Sequence, residues 1–216
     1  KKNYSIKKNH LVFLKMIYYY FNSNMSNYKK VKIDKDTIID ISLSAYWEFG
    51  INGISFNNIV RKSNISKTRM YNLFKSEDGL KSATLSRWDE LYGKIWRESI
   101  EKSNNIFQLL KNLYEGIAIG KHKTCFFSIN RLEKHNLGLQ TKRIILRIEN
   151  NFINSWSNCI RNNTNIENKD IKTAANYLFL QQTIFNVVKK ADMNKKDIIS
   201  MSKFVIKSLK NNYSKC

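Results

Sequence analysis

Ser63-Asn64-Ile65-Ser66-Lys67-Thr68-Arg69-Met70-Tyr71-Asn72-Leu73-Phe74 is the stretch on which the fold reading turns. Ser63-Asn64-Ile65 supplies turn residues between two segments of helical periodicity, and Asn accepts a positive φ more readily than most residues. Ser66 suits the N-cap of a following helix, where its hydroxyl accepts a backbone N–H from the first turn. Met70 and Phe74, at i and i+4, share one face, while Lys67, Thr68, Arg69, Tyr71 and Asn72 take the other sides. The spacing predicts a short helix over 67–74, apolar beneath and basic and polar above.

Upstream, Ser55 suits the N-cap of a second short helix with Phe56, Ile59 and Val60 apolar, and Arg61 and Lys62 at its C-terminal end, where the helix dipole favours cations. Two short helices joined by a tight turn make a helix-turn-helix. Further back, Ile38, Ile41, Ala45 and Phe49 recur at spacings of three and four, with Ile39, Leu43 and Tyr46 beside them, on a helix that Asp34, Asp36 and Asp40 bias to start and Gly50 closes in the left-handed conformation. Downstream, Ser76 caps a fourth helix that begins with Glu77 and Asp78 and reaches about Arg97, marked by Leu80, Leu85, Trp88, Tyr92 and Trp96.

These residues carry a family resemblance. Residues 37 to 80 resemble the DNA-binding domain of the TetR family of transcriptional regulators. The resemblance rests on Ala45-Tyr46-Trp47-Glu48-Phe49-Gly50, on Ser55 and Ile59, and on Ile65-Ser66-Lys67 followed by Met70-Tyr71, Phe74, Ser76 and Leu80. Asn64 stands where the family usually has Gly, Thr68 replaces a usual Gly, and Glu77 stands where a Lys often meets phosphate. The resemblance implies an all-α fold: an N-terminal three-helix helix-turn-helix domain at 34–80 and a helical effector-binding and dimerisation domain at 81–216. It also implies a duplex operator as partner. Lys67, Thr68 and Arg69 are then the candidates for base edges, Arg69 being suited to bidentate contact with guanine. Tyr71 and Asn72 would follow on the next turn, Ser55 would offer a hydroxyl and backbone N–H groups to a phosphate, and Lys75 a charge contact. The plain alternative for the basic run is a solvated helix face, and for Tyr71 a packed ring.

Composition agrees with long helices. The 216 residues contain 7 Gly and no Pro, which disfavours sandwiches, barrels and Gly-rich phosphate loops. Three cysteines, Cys125, Cys159 and Cys216, suit neither a disulfide framework nor a paired-cysteine zinc site and point to a reducing, cytoplasmic setting. The net charge of +21 predicts attraction to a polyanion. Residues 1–33 hold 8 Lys and no acid, residues 34–90 hold 8 bases and 8 acids, and residues 91–216 hold 22 bases and 9 acids. Between Arg61 and Lys75 five bases occur with no acid, a local patch within a neutral segment. At the N-terminus Lys15 interrupts an apolar run and no small-residue cleavage site follows, so secretion is rejected. Met25 opens a normal-looking start, and residues 1–24 read as an upstream extension; the alternative is a basic arm for a phosphate backbone or an anionic membrane.

The remaining chain reads as helices around Leu110 to Ile117, 140–161, 169–190 and 195–209, with a polar loop at 162–168. In the family the terminal pair builds a four-helix bundle with a second copy, which implies a homodimer and a palindromic operator. Phe107, Tyr114, Phe126, Phe127, Phe152, Trp156 and Tyr177, with Gln181 or Asn130 as a polar group, are candidates to line a pocket for a small-molecule effector. Core packing is the plain alternative for each. Cys125 is a candidate sensor of electrophiles or oxidants, with a buried, inert thiol as the alternative; His122 and His135 lack local ligand partners. No catalytic set, cofactor motif or metal motif is visible. The expected function is a non-enzymatic, sequence-specific regulator, a repressor released from its operator by an effector. Its rival is a basic helical protein that binds RNA, DNA or anionic membranes without sequence preference.

Overall fold

A computed structural model describes residues 34–120 and 124–213, and every regular element among them is helical. The readings made above for residues 1–33, for His122 and for Cys216 fall outside the described residues.

Helix α1, Lys35–Phe49, buries Ile38, Ile39, Leu43, Ala45 and Tyr46, whereas Ile41 is half-buried and Phe49, expected on the apolar face by its spacing, is 49% exposed at the helix end. It ends at Gly50, whose φ of 86° is left-handed and whose N–H bonds to the Tyr46 carbonyl at 2.9 Å. Helix α2, Phe56–Lys62, is capped by Ser55, which accepts the Asn58 N–H at 3.2 Å. Asn64 carries the turn with a φ of 49°, the conformation for which the family usually keeps Gly. Helix α3, Lys67–Phe74, is capped by Ser66 through the Arg69 N–H at 3.1 Å. Ser76 does the same for α4, Glu77–Trp88, through the Gly79 N–H at 2.9 Å. Each cap satisfies a donor that the first helical turn leaves orphaned, worth about 0.5–2 kcal/mol against Ala.

The fourth helix departs from the expected uniform rod. It passes at Trp88 into a π-helical turn, Asp89–Gly93, and continues as α5, Lys94–Glu101, beyond the expected end at Arg97. An ion pair between Asp89 and Arg97, both nearly buried, clasps the turn, and the Arg97 guanidinium lies over the Phe152 ring at 5.3 Å. The helical period of the sequence does not mark such a turn, and the Asp89–Arg97 pair spans it along the same helix.

The body follows as α6, Ile106–Ile119; α7, Phe126–Asn130, with a 3-10 turn, Arg131–Asn136; α8, Leu139–Asn163; α9, Ile171–Lys190; and α10, Lys195–Tyr213. α8 is central and packs on α4, α5 and α9, while α6 packs on α9 and α10. Stacked rings tie the layers: Trp88 on Phe127 at 5.2 Å, Phe127 on Phe152 at 6.3 Å and Phe152 on Phe179 at 5.7 Å. Full burial of each ring contributes about 1.5–3 kcal/mol relative to exposure, and the stacked pairs add to it. Among the described residues no helix is long and apolar enough to cross a membrane.

Candidate nucleic-acid interface

Helix α3 is anchored from below by Met70 and Phe74, 0% and 5% exposed, so that its remaining surface is presented outward. Lys67, Thr68, Arg69, Tyr71 and Asn72 are all exposed, as are Ser55 at the head of α2 and Lys75 at the end of α3. The Tyr71 ring is supported 5.1 Å from Phe56, with 41% of the residue still open, and Lys67 Nζ stands 6.0 Å from its centroid. Tyr71 therefore both packs and faces solvent, which keeps its hydroxyl at the surface in one orientation. Lys75 ends α3 with a φ of 67° while its N–H reaches the Tyr71 carbonyl at 2.8 Å. Arg61 is drawn to Asn58 on its own helix. The seven residues thus lie on one helical hairpin, a positive surface with no carboxylate between Arg61 and Lys75.

Helix α1 and the turn after it are fastened to the rest of the chain by polar contacts that the sequence did not reveal. The Ile51 N–H donates to Asn130 Oδ1 at 2.7 Å, and Trp47 Nε1 donates to the Thr124 carbonyl at 2.9 Å. Asn52 donates to Glu133 at 2.7 Å, and Arg87 Nε to Asp40 at 3.0 Å. Asn130, a candidate polar group for a pocket, is instead 2% exposed and committed to the turn after α1. Residues 47 to 81 apart make these bonds, and no local pattern encodes such pairs.

No sequence-defined protein family matches the chain, and no curated protein does. Solved structures do. The reduced form of E. coli NemR superposes with a TM-score of 0.64 at 14% identity, covering 77% of this chain and 93% of that one. A cysteine-substituted variant of CifR, a TetR family regulator crystallised with a 26-base-pair operator duplex, gives 0.66 at 14% identity, covering 83% and 98%. A TetR transcriptional regulator from Legionella pneumophila gives 0.66 at 13%, with the same coverage.

This chain has the fold of the TetR family regulators.

Within this TetR fold the aromatic candidates for an effector pocket do not converge on one cavity. Tyr114, Phe126, Phe152 and Trp156 are 0–2% exposed and fill the interior, Tyr114 stacking on Phe185 at 4.1 Å. Phe127 is buried with them, and Gln181 is half-buried on α9. Phe107 and Tyr177 do line a groove of about 460 Å³, with Leu110, Ile160, Leu178 and Leu209 supplying apolar walls. The helical period marks which residues point inward, but not whether the inside is filled or hollow.

Burial shapes the titrating groups of the helical body. It pushes the Cys125 thiol up, against the weaker pull of hydrogen bonds from Ser128 and Phe127, and pushes the Cys159 thiol up to about 11. Protonated thiols are poor nucleophiles, so burial works against reactivity at both sites. Lys189, whose Nζ donates to the Ile117 and Gly120 carbonyls at the end of α6, has its pKa lowered by burial. His135 is exposed on the 3-10 turn, and among the described residues no cluster of His, Cys, Asp and Glu could hold a metal ion.

Proposed function

We propose that the chain is a DNA-binding transcriptional regulator, a repressor that reads a palindromic operator as a homodimer and leaves it when a small molecule binds its body. The observation that carries this reading is the outward set on α3, a short capped helix with Lys67, Thr68, Arg69, Tyr71 and Asn72 exposed over an apolar anchor. A helix of this kind enters the major groove by its N-terminal residues, and Arg reads guanine through paired hydrogen bonds. Ser55 and Lys75 are assigned to phosphates, which position the head without reading sequence. Residues 34–80 form the reading head, and residues 81–216 the body that dimerises and takes the effector.

A second copy of the chain is the natural cover for α9. Tyr177, Leu180, Ile184 and Val187 follow spacings of three, four and three and are 44%, 51%, 44% and 38% exposed, and Phe204 on α10 is 72% exposed. Such a seam suits a helical bundle between two-fold-related copies. The groove at Phe107 and Tyr177 is of a size for a small molecule and supports an effector of apolar or aromatic character. No cofactor, catalysis or membrane contact enters the reading, and the cytoplasm is its setting.

The test is selection of bound duplexes from a random pool, followed by competition with an excess of unselected DNA. A regulator yields a two-fold-symmetric site whose complex survives competition. A pool that stays unenriched, with all binding lost to competitor or salt, would establish the charge-driven rival.

A further inference from the structure

Four hydrogen bonds run in series from the head to helix α9. The Ile51 N–H donates to Asn130 Oδ1 at 2.7 Å, and Asn130 Nδ2 donates to the Phe126 carbonyl at 2.8 Å. At the other end of α7 the Cys125 N–H donates to Asn186 Oδ1 at 2.8 Å, and Asn186 Nδ2 donates to the Gln182 carbonyl at 2.9 Å. The two asparagines act alike. Each grips its own helix one turn back through Nδ2 and extends Oδ1 to a backbone N–H of the next element.

Both are buried, at 2% and 3% exposure, so water cannot replace a lost partner at low cost. The grip through Nδ2 fixes the rotamer, and the position of the reaching oxygen is then set by the helix that carries it. Two further bonds run beside the series: Trp47 Nε1 to the Thr124 carbonyl on the head side, and Arg131 Nε to Thr183 Oγ1, 3.3 Å, on the α9 side. Segment 124–131 is thereby clipped twice at each side.

The two ends of this series matter for different reasons. Ile51 follows the left-handed Gly50 and starts the chain leading into α2 and α3. Asn186 lies on the buried side of α9, opposite the exposed seam of Leu180, Ile184 and Val187. We infer that Asn130 and Asn186 are positioning residues that make α7 a rigid link, through which the setting of α9 in a pair of copies fixes the attitude of the DNA-reading head. This rests on the reading of α3 as a DNA reader and of α9 as a self-association seam. Pairing of copies and DNA binding are then coupled through named side chains, and the coupling acts in both directions.

Hydrogen exchange on the full chain tests the link without any DNA. Asn186→Ala should accelerate exchange of the amides at 50–54 by about tenfold while helical content is retained, although position 186 touches none of them. Asn130→Ala should do the same, and the double variant should be no faster there than Asn130→Ala alone, since links in series fail once. Asn186→Asp keeps an acceptor for the Cys125 N–H but loses the Nδ2 grip on the Gln182 carbonyl, and should speed segment 50–54 as well. Acceleration confined to 124–126 in Asn186→Ala, or additive effects in the double variant, would each overturn the link. A duplex from the selection should in turn slow exchange around Cys125 and Asn186 by about threefold. Protection of α3 alone would count against it, whereas a failure to select any duplex would strike the proposed function and leave the exchange results to judge the link.

Discussion

Asp78, in the first turn of α4, accepts the backbone N–H of Gln140 at 2.8 Å. The same carboxylate takes the Thr141 N–H at 3.3 Å and the Thr141 hydroxyl, so one side chain caps α8 from a helix 62 residues away. A single negative charge thus serves the positive ends of two helices, α4 and α8. Gly138, the N-cap of α8, leaves the room: a Cβ there would fall within 2.2–2.5 Å of the Asp78 carboxyl atoms.

Gly138→Ala should therefore destabilise the chain by about 1–3 kcal/mol, because the carboxylate must move off its donors. Asp78→Ala should cost about 1–2 kcal/mol, and Gly138→Ala should cost much less in that background. Chemical denaturation of the four chains of the cycle checks this; additive losses would show that the two residues do not share one contact.

Asn64 holds its φ of 49° in the turn of the helix-turn-helix. Asn64→Gly should be neutral or slightly stabilising, and Asn64→Val should cost about 1–2 kcal/mol, because a β-branched residue resists that conformation. Thermal unfolding measures both. An equal effect of Gly and Val would show that the backbone is not what selects Asn.

Arg69→Ala should weaken binding to the selected duplex by about 1–3 kcal/mol and relax preference at one base pair in each half-site, whereas Lys75→Ala should weaken all duplexes alike. Ala retains a Cβ, so the positive φ at position 75 is not relieved by the change. Binding isotherms on selected and unselected duplexes distinguish the two; equal losses on both duplexes for both variants would refute the division into reading and charge.

Ile184→Lys places a charge in the middle of the seam on α9, at a residue already 44% exposed, and should leave the fold of one chain intact. Sedimentation should then report pairs for the unmodified protein and single chains for the variant. A paired Ile184→Lys protein would move the self-association surface elsewhere.

Cys159 provides a pH test. Its folded thiol titrates at about 11, above the ordinary 9.0. A raised folded value means that stability is fully present below pH 9 and declines as pH rises from 9 towards 11, where the unfolded chain ionises first. Cys159→Ser removes that group and should flatten this part of the stability profile. Thiol reagents should also modify Cys125 and Cys159 slowly at pH 8 until the chain is unfolded; fast modification of folded protein would revive a sensing role.

The head was legible because its rules are local. Ser55, Ser66 and Ser76 each cap the helix they precede, Gly50 and Asn64 take the positive φ their residue types favour, and Met70 and Phe74 point inward by spacing alone. What escaped was tertiary. Asp78 reads as a first-turn acid of its own helix, and only the fold reveals the second helix it serves. Asn130 reads as a polar group among aromatics, and Tyr114, Phe126, Phe152 and Trp156 read equally as pocket or core until the packing between helices is known.

The π-turn at Asp89–Gly93 has a consequence for how such a chain can change over generations. One surplus residue sets the two sides of the helix out of phase by about 100° relative to an unbroken one. With that offset Leu80, Leu85 and Trp88 are buried before the turn and Ile100 after it, where α5 packs on α8. Closing the turn to α-helix without removing a residue would rotate the buried side of α5 towards water, whereas shedding the surplus residue would join the two flanks in register. A form of this helix one residue shorter at Asp89–Gly93 would therefore still bury Ile100 on the side of α5 that packs on α8.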